Sequence, residues 1–335
     1  MRVYYDPVQK NHVLTHEIIS GKRFRHHEKR ARIDVILRQL KASGGFEFHI
    51  PERVPTEAIL AVHDEAYVRF LESSSTLGKD EVIWPYVFPC DTRVPVREPV
   101  TRLTAGAFCF DVGTPIMADT WQAASAAASG AYAAAQFVKR SGGVAYALAR
   151  PPGHHASASM FGGYCYLNNA AIAARYLSQY GHVLIVDFDF HHGNGTQSIF
   201  YDRDEVFYMS LHGHPQLEYP YFTGWETERG IDDGVGFNLN IPLTPRTAAS
   251  TYLKHLEQGL ALAYAKREPD FLVMSCGFDV ADNDPLGHFG FSPEDFRTLG
   301  KKIKALSKPT VLVQEGGYLV ERLGVNVEAF LTTFL

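Results

Sequence analysis

This chain of 335 residues is short of several things, and each shortage removes a class of protein. Its four cysteines, Cys90, Cys109, Cys165 and Cys276, are scattered with no CxxC pair. Neither a disulfide framework nor a thiolate zinc site is expected, and a reducing cytoplasm suits the chain. No apolar run reaches the length of a membrane span. The Ala-rich stretch Trp121–Val138 comes nearest, but Ser125, Ser129, Gly130 and Gln136 interrupt it, and it reads as a buried helix packed closely through small residues. The start, Met1 to Pro7, reads as a short strand entering a turn and lacks the parts of a signal peptide. Repeats, low-complexity tracts and long linkers are missing too. There is no cationic excess: 32 Lys and Arg stand against 37 Asp and Glu, a net charge of −5. That argues against nucleic acid or an anionic membrane as main partner and mildly favours a cationic ligand.

What remains is an ordinary globular balance, 46% hydrophobic and 21% charged. From about residue 120, apolar runs alternate with helical patterns. The expected strands are Gly143–Ala149, His182–Phe190, Val206–Leu211, Phe237–Ile241, Phe271–Cys276 and Thr310–Gln314. The expected helices are Trp121–Lys139, Asn168–Tyr180, Thr247–Lys266, Ser292–Leu306 and Val325–Phe334. Strands such as Val183-Leu184-Ile185-Val186 are apolar on both faces, as in a parallel sheet covered by helices on each side. The pattern predicts one doubly wound α/β domain over residues 1–335. The segment at about 77–120, rich in proline and aromatics (Trp84-Pro85-Tyr86, Phe88-Pro89, Val94-Pro95), reads as an insertion serving a functional loop or an oligomer contact.

In open α/β sheets ligands bind beyond the carboxyl ends of the strands, and the polar residues gather there. One strand runs into Arg150-Pro151-Pro152-Gly153-His154-His155, another ends in Asp187-Phe188-Asp189-Phe190-His191. A third ends in Gly277-Phe278-Asp279 and the last in Glu315-Gly316-Gly317-Tyr318. Residues two apart on a strand share a face, so Asp187, Asp189 and His191 are expected to project together, with Asp279 joining from another strand end. A set of two carboxylates and one imidazole suits Zn²⁺ and leaves room for water. As mere caps, carboxylates flanked by Phe188 and Phe190 would be costly to bury. The tandem His154-His155 reads as an acid–base pair. Tyr318, after two glycines, reads either as a donor to a developing oxyanion or as a packed aromatic at a loop tip.

Six motifs coincide with one family. PPGHHA (151–156), FGGYCYLNNAAIA (161–173), DFDFHHGNGTQ (187–197), SLHG (210–213), GFDVADNDP (277–285) and EGGY (315–318) resemble those of the zinc-dependent deacetylases. That superfamily holds histone deacetylases and bacterial acetylpolyamine amidohydrolases, and the second branch is the nearer. The resemblance implies the arginase/deacetylase fold, a three-layer α/β sandwich around an eight-stranded, mostly parallel sheet. It implies one zinc ion, replaceable by Fe²⁺ or Co²⁺, on Asp189, His191 and Asp279, with His154, His155 and Tyr318 catalytic. Asp187 would bond His154, and Asn194 would bond His155. Gly163, Tyr164, Tyr219 and Leu286 would line the substrate tunnel. A structural K⁺ would sit on carbonyls around Asp187, Asp189, His191 and Leu211, with Ser210. Many histone deacetylases have aspartate where Asn194 stands. Neutral Asn stabilises a protonated His155 less, leaving His155 the readier base.

A binuclear manganese ureohydrolase shares the implied fold but needs aspartates where this chain has Gly193 and Ala281. A non-catalytic acyl-amine binder would have lost a ligand or Tyr318. The expected substrate is a small cationic acetylated amine such as N-acetylputrescine or N-acetylcadaverine, with an acetyl-lysine peptide or another small acylamide as the alternative. The insertion is expected to narrow the tunnel and to join a homodimer. Leu286 stands where a eukaryotic polyamine deacetylase places a glutamate. Asp111 and Asp119 are the acidic candidates of the insertion for a group at the entrance; Glu17, Glu28 and Glu218 are further candidates, read first as solvated surface charges.

Overall fold

A computed structural model describes residues 1–19, 21–89 and 101–335. Cys90 and Val94-Pro95 lie outside the described residues. The first half runs β1 (Arg2–Tyr4), β2 (His16–Ile19), β3 (Lys22–Arg25), α1 (Ala31–Ser43), β4 (Glu47–His49), α2 (Thr56–Leu60) and α3 (Glu65–Ser73). It continues through β5 (Val82–Ile83), β6 (Ile116–Met117), α4 (Thr120–Ser141), β7 (Val144–Ala147) and α5 (Asn169–Leu177). The second half runs β8 (Val183–Asp187), α6 (Asn194–Phe200), β9 (Val206–Gly213), β10 (Asn238–Leu243), α7 (Ala249–Lys266), β11 (Phe271–Cys276), α8 (Pro293–Lys304), β12 (Thr310–Gln314) and α9 (Val320–Leu331).

Eight strands form one sheet in the order β10-β9-β8-β11-β12-β7-β1-β4. Every neighbouring pair is parallel. Because side chains alternate across a strand, each central strand feeds two cores. Leu184, Val186, Leu272, Met274 and Leu312 pack on one face together with buried residues of α1, α7, α8 and α9. Val183, Ile185, Val273, Val311 and Val313 pack on the other, against α4 and α5. Alanines 127, 128, 131, 134 and 135 of α4 are fully buried, so small side chains bring this helix close to the sheet and to α5. The helix ends at Gly142, whose left-handed backbone (φ 65°) lets its N–H return to the Val138 carbonyl at 2.9 Å.

The structure alters several expectations. The strand expected over His182–Phe190 stops at Asp187, and the last helix begins at Val320 instead of Val325. Within the described residues of 77–120, Val82–Ile83 pairs antiparallel with Ile116–Met117, and residues Arg102–Phe108 form 3₁₀ turns. Among the described residues no helix is long and apolar enough to cross a membrane.

Loops leaving the carboxyl ends are tied to helices by buried polar groups. Asn168 caps α5 by accepting the Ala171 N–H at 2.9 Å, while its amide donates to the Ala156 carbonyl and the Thr196 hydroxyl, each at 3.0 Å. Asn168→Ala removes the cap and leaves a buried carbonyl unpaired, so stability should fall by about 2 kcal/mol. Urea denaturation measures it, and a loss below about 0.5 kcal/mol would contradict the assignment.

Candidate metal centre and tunnel

Asp187 closes β8, and Phe188 still pairs with Ser275 of β11 through its N–H. The backbone then turns, because each acidic side chain captures the amide two residues on. Asp187 Oδ1 accepts the Asp189 N–H at 3.1 Å and Asp189 Oδ1 accepts the His191 N–H at 3.0 Å. The pleat of a strand therefore does not bring Asp189 and His191 together, as the sequence suggested. Two successive side-chain turns do. From β11, Asp279 Oδ1 accepts the Phe190 N–H at 2.8 Å, and from β12 the Gly316 N–H reaches Asp189 Oδ2 at 2.8 Å.

The result is a triad of two buried carboxylates and one partly buried imidazole. His191 Nδ1 lies 3.2 Å from Asp189 Oδ1 and 3.1 Å from Asp279 Oδ2, and one ligand atom from each residue falls within 4.8 Å of the others. Burial and the charge of Asp189 push the Asp279 carboxyl up to about 7. Burial alone would lower His191, but its hydrogen bonds to Asp189 and Asp279 carry it up to about 10. Two carboxylates this close hold charge together only beside a cation, and the oxygen and nitrogen donors fit a divalent ion such as zinc.

The rings of His154 and His155 lie against each other, tilted by 47°, with centroids 4.1 Å apart. His154 Nδ1 meets Asp187 Oδ2 at 3.1 Å, and Tyr208 donates to the same oxygen at 3.0 Å. Burial opposes the His154 cation, yet Asp189 and Asp187 raise it to about 10. His155 Nδ1–H donates to Asn194 Oδ1 at 2.7 Å, leaving Nε2 with its lone pair. Burial and the charges of His154 and His191 hold His155 well below the usual imidazole range. The expected pairings of Asp187 with His154 and of Asn194 with His155 are thus both present as hydrogen bonds.

Tyr318, 8% exposed, stands across the cavity. Asp284 Oδ2 accepts the N–H groups of Tyr318 and Leu319 at 2.7 and 2.9 Å, a support the sequence reading did not single out. Gly163, Tyr164, Tyr219 and Leu286 line a cavity of about 400 Å³ that also reaches His155, His191 and Tyr318. A Cβ on Gly163 would lie 2.7 Å from His155 Cγ. Tyr164 holds a positive φ of 66°, fixed by the Thr114 hydroxyl on its N–H and by its own hydroxyl donating to Glu17. Tyr219 packs edge-on to His155 at 5.1 Å and donates to Asp111 Oδ2 at 2.8 Å. A larger groove of about 660 Å³, between α7 and α8, touches none of these residues.

Of the residues expected around potassium, Asp187 and Ser210 are partners across β8 and β9. Ser210 Oγ bonds His212 Nδ1 at 2.8 Å, and the Leu211 carbonyl accepts from Tyr252 at 3.3 Å. Three acidic readings change. Glu17 and Glu28 are 1% exposed, and Glu218 lines the cavity, so none is a solvated surface charge. Asp111 also lines the cavity, whereas Asp119 sits at the head of α4 without capping it. Cys165 joins His154 and Glu315 within 4.8 Å, a cluster that nothing in the cysteine spacing revealed. Burial and Glu315 keep the Cys165 thiol protonated. Gly193 has no room for the aspartate of a second metal: a Cβ there would meet Asp187 and Tyr208 and lie 3.2 Å from His154 Nδ1.

A carboxylate–imidazole triad and paired histidines beside one cavity suit metal-assisted hydrolysis. The sequence profile of the histone deacetylase domain matches residues 26–334. Acetylpolyamine amidohydrolase 2 of Pseudomonas aeruginosa is 39% identical, over 100% of this chain and 98% of that protein. Acetylpolyamine amidohydrolase 1 of the same bacterium is 37% identical, over 97% and 96%. The crystal structure of an acetylpolyamine aminohydrolase from Burkholderia pseudomallei matches with a TM-score of 0.92 at 36% identity, covering 100% of this chain and 98% of that one. The fold is the arginase-like sandwich, and the chain is an enzyme of the amidohydrolase class. It belongs to the histone deacetylase family.

Because His191 and Asp279 carry protons near neutrality unless a cation lies between them, metal binding at pH 7 should expel at least one proton. Affinity should therefore weaken as pH falls. Calorimetric zinc titration of the chelator-treated protein, in two buffers of different ionisation enthalpy, measures the release. Buffer-independent heats would contradict the triad as the binding site.

Proposed function

We propose that this enzyme deacetylates N-acetylated polyamines, releasing acetate and free amine, with one Zn²⁺ held by Asp189, His191 and Asp279. The observation that carries the reading is the convergence of His191 of that triad, His155 and Tyr318 on one cavity that Glu17, Asp111 and Glu218 also line. A bound zinc ion supplies Lewis acidity toward the acetamide oxygen and lowers the pKa of water. The protein does the rest. Asn194 orients the His155 ring so that Nε2 takes a proton from the water attacking the acyl carbon. The Tyr318 hydroxyl donates to the carbonyl oxygen as negative charge develops there. His155 then returns the proton to the nitrogen as the C–N bond breaks. His154, paired with Asp187, stays cationic and holds its neighbour neutral. A structural K⁺ on the carbonyls below β8, with Ser210, belongs to this proposal, as does a homodimer. Exposed Tyr86, Val87 and Leu103 offer the insertion an apolar contact surface.

The cavity carboxylates support a cationic substrate. Glu17 is spent on His27 and Tyr164, and Asp111 on Gly113, Gly163 and Tyr219. Glu218 gives Oε1 to His288 Nδ1 at 2.9 Å and, among the described residues, keeps Oε2 free. It is the natural anchor for a distal ammonium. The purified enzyme should show a higher kcat/KM on N-acetylputrescine and N-acetylcadaverine than on an acetyl-lysine peptide. Glu218→Gln should raise KM for N-acetylputrescine about fivefold, the equivalent of roughly 1 kcal/mol, and leave neutral N-butylacetamide unchanged. A strong preference for the peptide would sink the polyamine reading.

The low pKa of His155 sets the pH profile. A lowered value keeps the base neutral as pH falls, so the acid limb of kcat/KM should lie below the usual imidazole range. Asn194→Asp adds a negative charge beside the ring and should move that limb to higher pH. An unmoved limb would exclude His155 as the base.

A further inference from the structure

We infer that Glu28 is a positioning residue for Tyr318: it clamps Arg32 and Arg150 together and so fixes the tyrosine loop against the loop carrying the two histidines. The inference rests on the deacetylase reading above.

Glu28 is buried, and its Oε1 receives two guanidinium donors, Arg32 Nη1 at 2.9 Å and Arg150 Nε at 2.7 Å. Burial resists a charged carboxylate, but the two arginines hold it at about 2. Arg150 opens the run into His154-His155 and is itself fixed, with Nη1 on the Gln9 carbonyl at 2.8 Å and Nη2 on the His12 carbonyl at 2.7 Å. Arg32 reaches the other way. Its Nη2 donates to the Glu315 carbonyl at 2.5 Å and its Nε to the Gly317 carbonyl at 2.7 Å. Its guanidinium carbon lies 5.0 Å from the Tyr318 ring centroid.

That grip matters because of what it grips. Gly316 and Gly317 lead into Tyr318, and Gly317 has a φ of 117°, so the backbone here has little stiffness of its own. Arg32 holds its carbonyls while Asp284 holds the amides of Tyr318 and Leu319. Neutralising Glu28 would leave two buried guanidiniums facing one another without their shared counter-charge, and Arg32 would be the freer to swing. The histidine loop would keep a second tie, since Glu315 Oε2 accepts from the amides of Gly153 and His154 at 2.6 and 3.2 Å. The loss should therefore fall on Tyr318, as a fault of orientation.

The test is Glu28→Gln in the wild-type and Tyr318→Phe backgrounds, assayed on N-acetylputrescine with metal content measured for each protein. In wild type, kcat should fall on the order of 100-fold while KM and metal per chain stay unchanged, the cost expected of a misplaced catalytic group. In Tyr318→Phe the same substitution should cost several-fold less, because the group being positioned is gone. Equal losses in the two backgrounds would overturn the inference, and so would an unchanged kcat in Glu28→Gln. Should Glu28→Gln fail to fold, Arg32→Lys keeps the charge but loses the two-pronged grip, and the same cycle applies with the same outcomes. A wild-type protein inactive on every acetylated amine would contradict the deacetylase reading and this inference with it. An active wild type with independent losses contradicts this inference alone.

Discussion

Asp189 and Asp279 lie on either side of one imidazole, with almost no exposure and, among the described residues, no lysine or arginine paired to either. Like charges so placed repel, and burial strengthens the repulsion. Something positive has to stand between them, either the proton of His191 or a metal ion. Much of the surrounding architecture is explicable as a means of holding this costly pair in place. Asp279 accepts a backbone amide from the loop after β8, Asp189 accepts one from the loop after β12, and Asp187 anchors the turn that presents both Asp189 and His191. Three strands thus share the cost of the site.

The charge pattern spreads outward from that centre. Asp189 and Asp187 make His154 cationic, and burial together with that cation keeps His155 neutral. Two adjacent histidines are driven to opposite protonation states, one by nearby carboxylates and the other by burial and nearby cations. Asn194 adds direction without charge, holding Nδ1 of His155 and leaving Nε2 as the free nitrogen. On the far side, Glu28 and two arginines form a second buried ionic group whose bonds end on the Tyr318 loop. The proposed catalytic groups are therefore suspended between two charged clusters, one anionic and one cationic.

Much of this was legible in the sequence where motif and strand end coincide. The apolar runs marked the central strands, and the residues just past them marked the site, because a parallel sheet delivers its loops to one edge. The parts that were not legible depend on contacts distant along the chain. Glu28, set in His26-His27-Glu28-Lys29-Arg30, looks solvated locally, yet its partner Arg150 lies 122 residues on. Glu17 sits in a short hairpin among basic residues, and its burial against Tyr164 could not be read from them. The gathering of Asp189 and His191 was expected for a mistaken reason: hydrogen bonds from side chain to backbone, which periodicity does not encode, replace the strand after Asp187.

The account stands most directly on where a metal ion sits and what faces it. Crystals of the zinc-loaded enzyme, with N-acetylputrescine bound to the Tyr318→Phe variant and diffraction recorded at the zinc absorption edge, would show both. The expected result is one anomalous peak per chain, bonded to Asp189, His191 and Asp279, with the acetamide oxygen between the peak and the Tyr318→Phe ring. A peak on His154, Cys165 and Glu315 instead, or two peaks per chain, would contradict it.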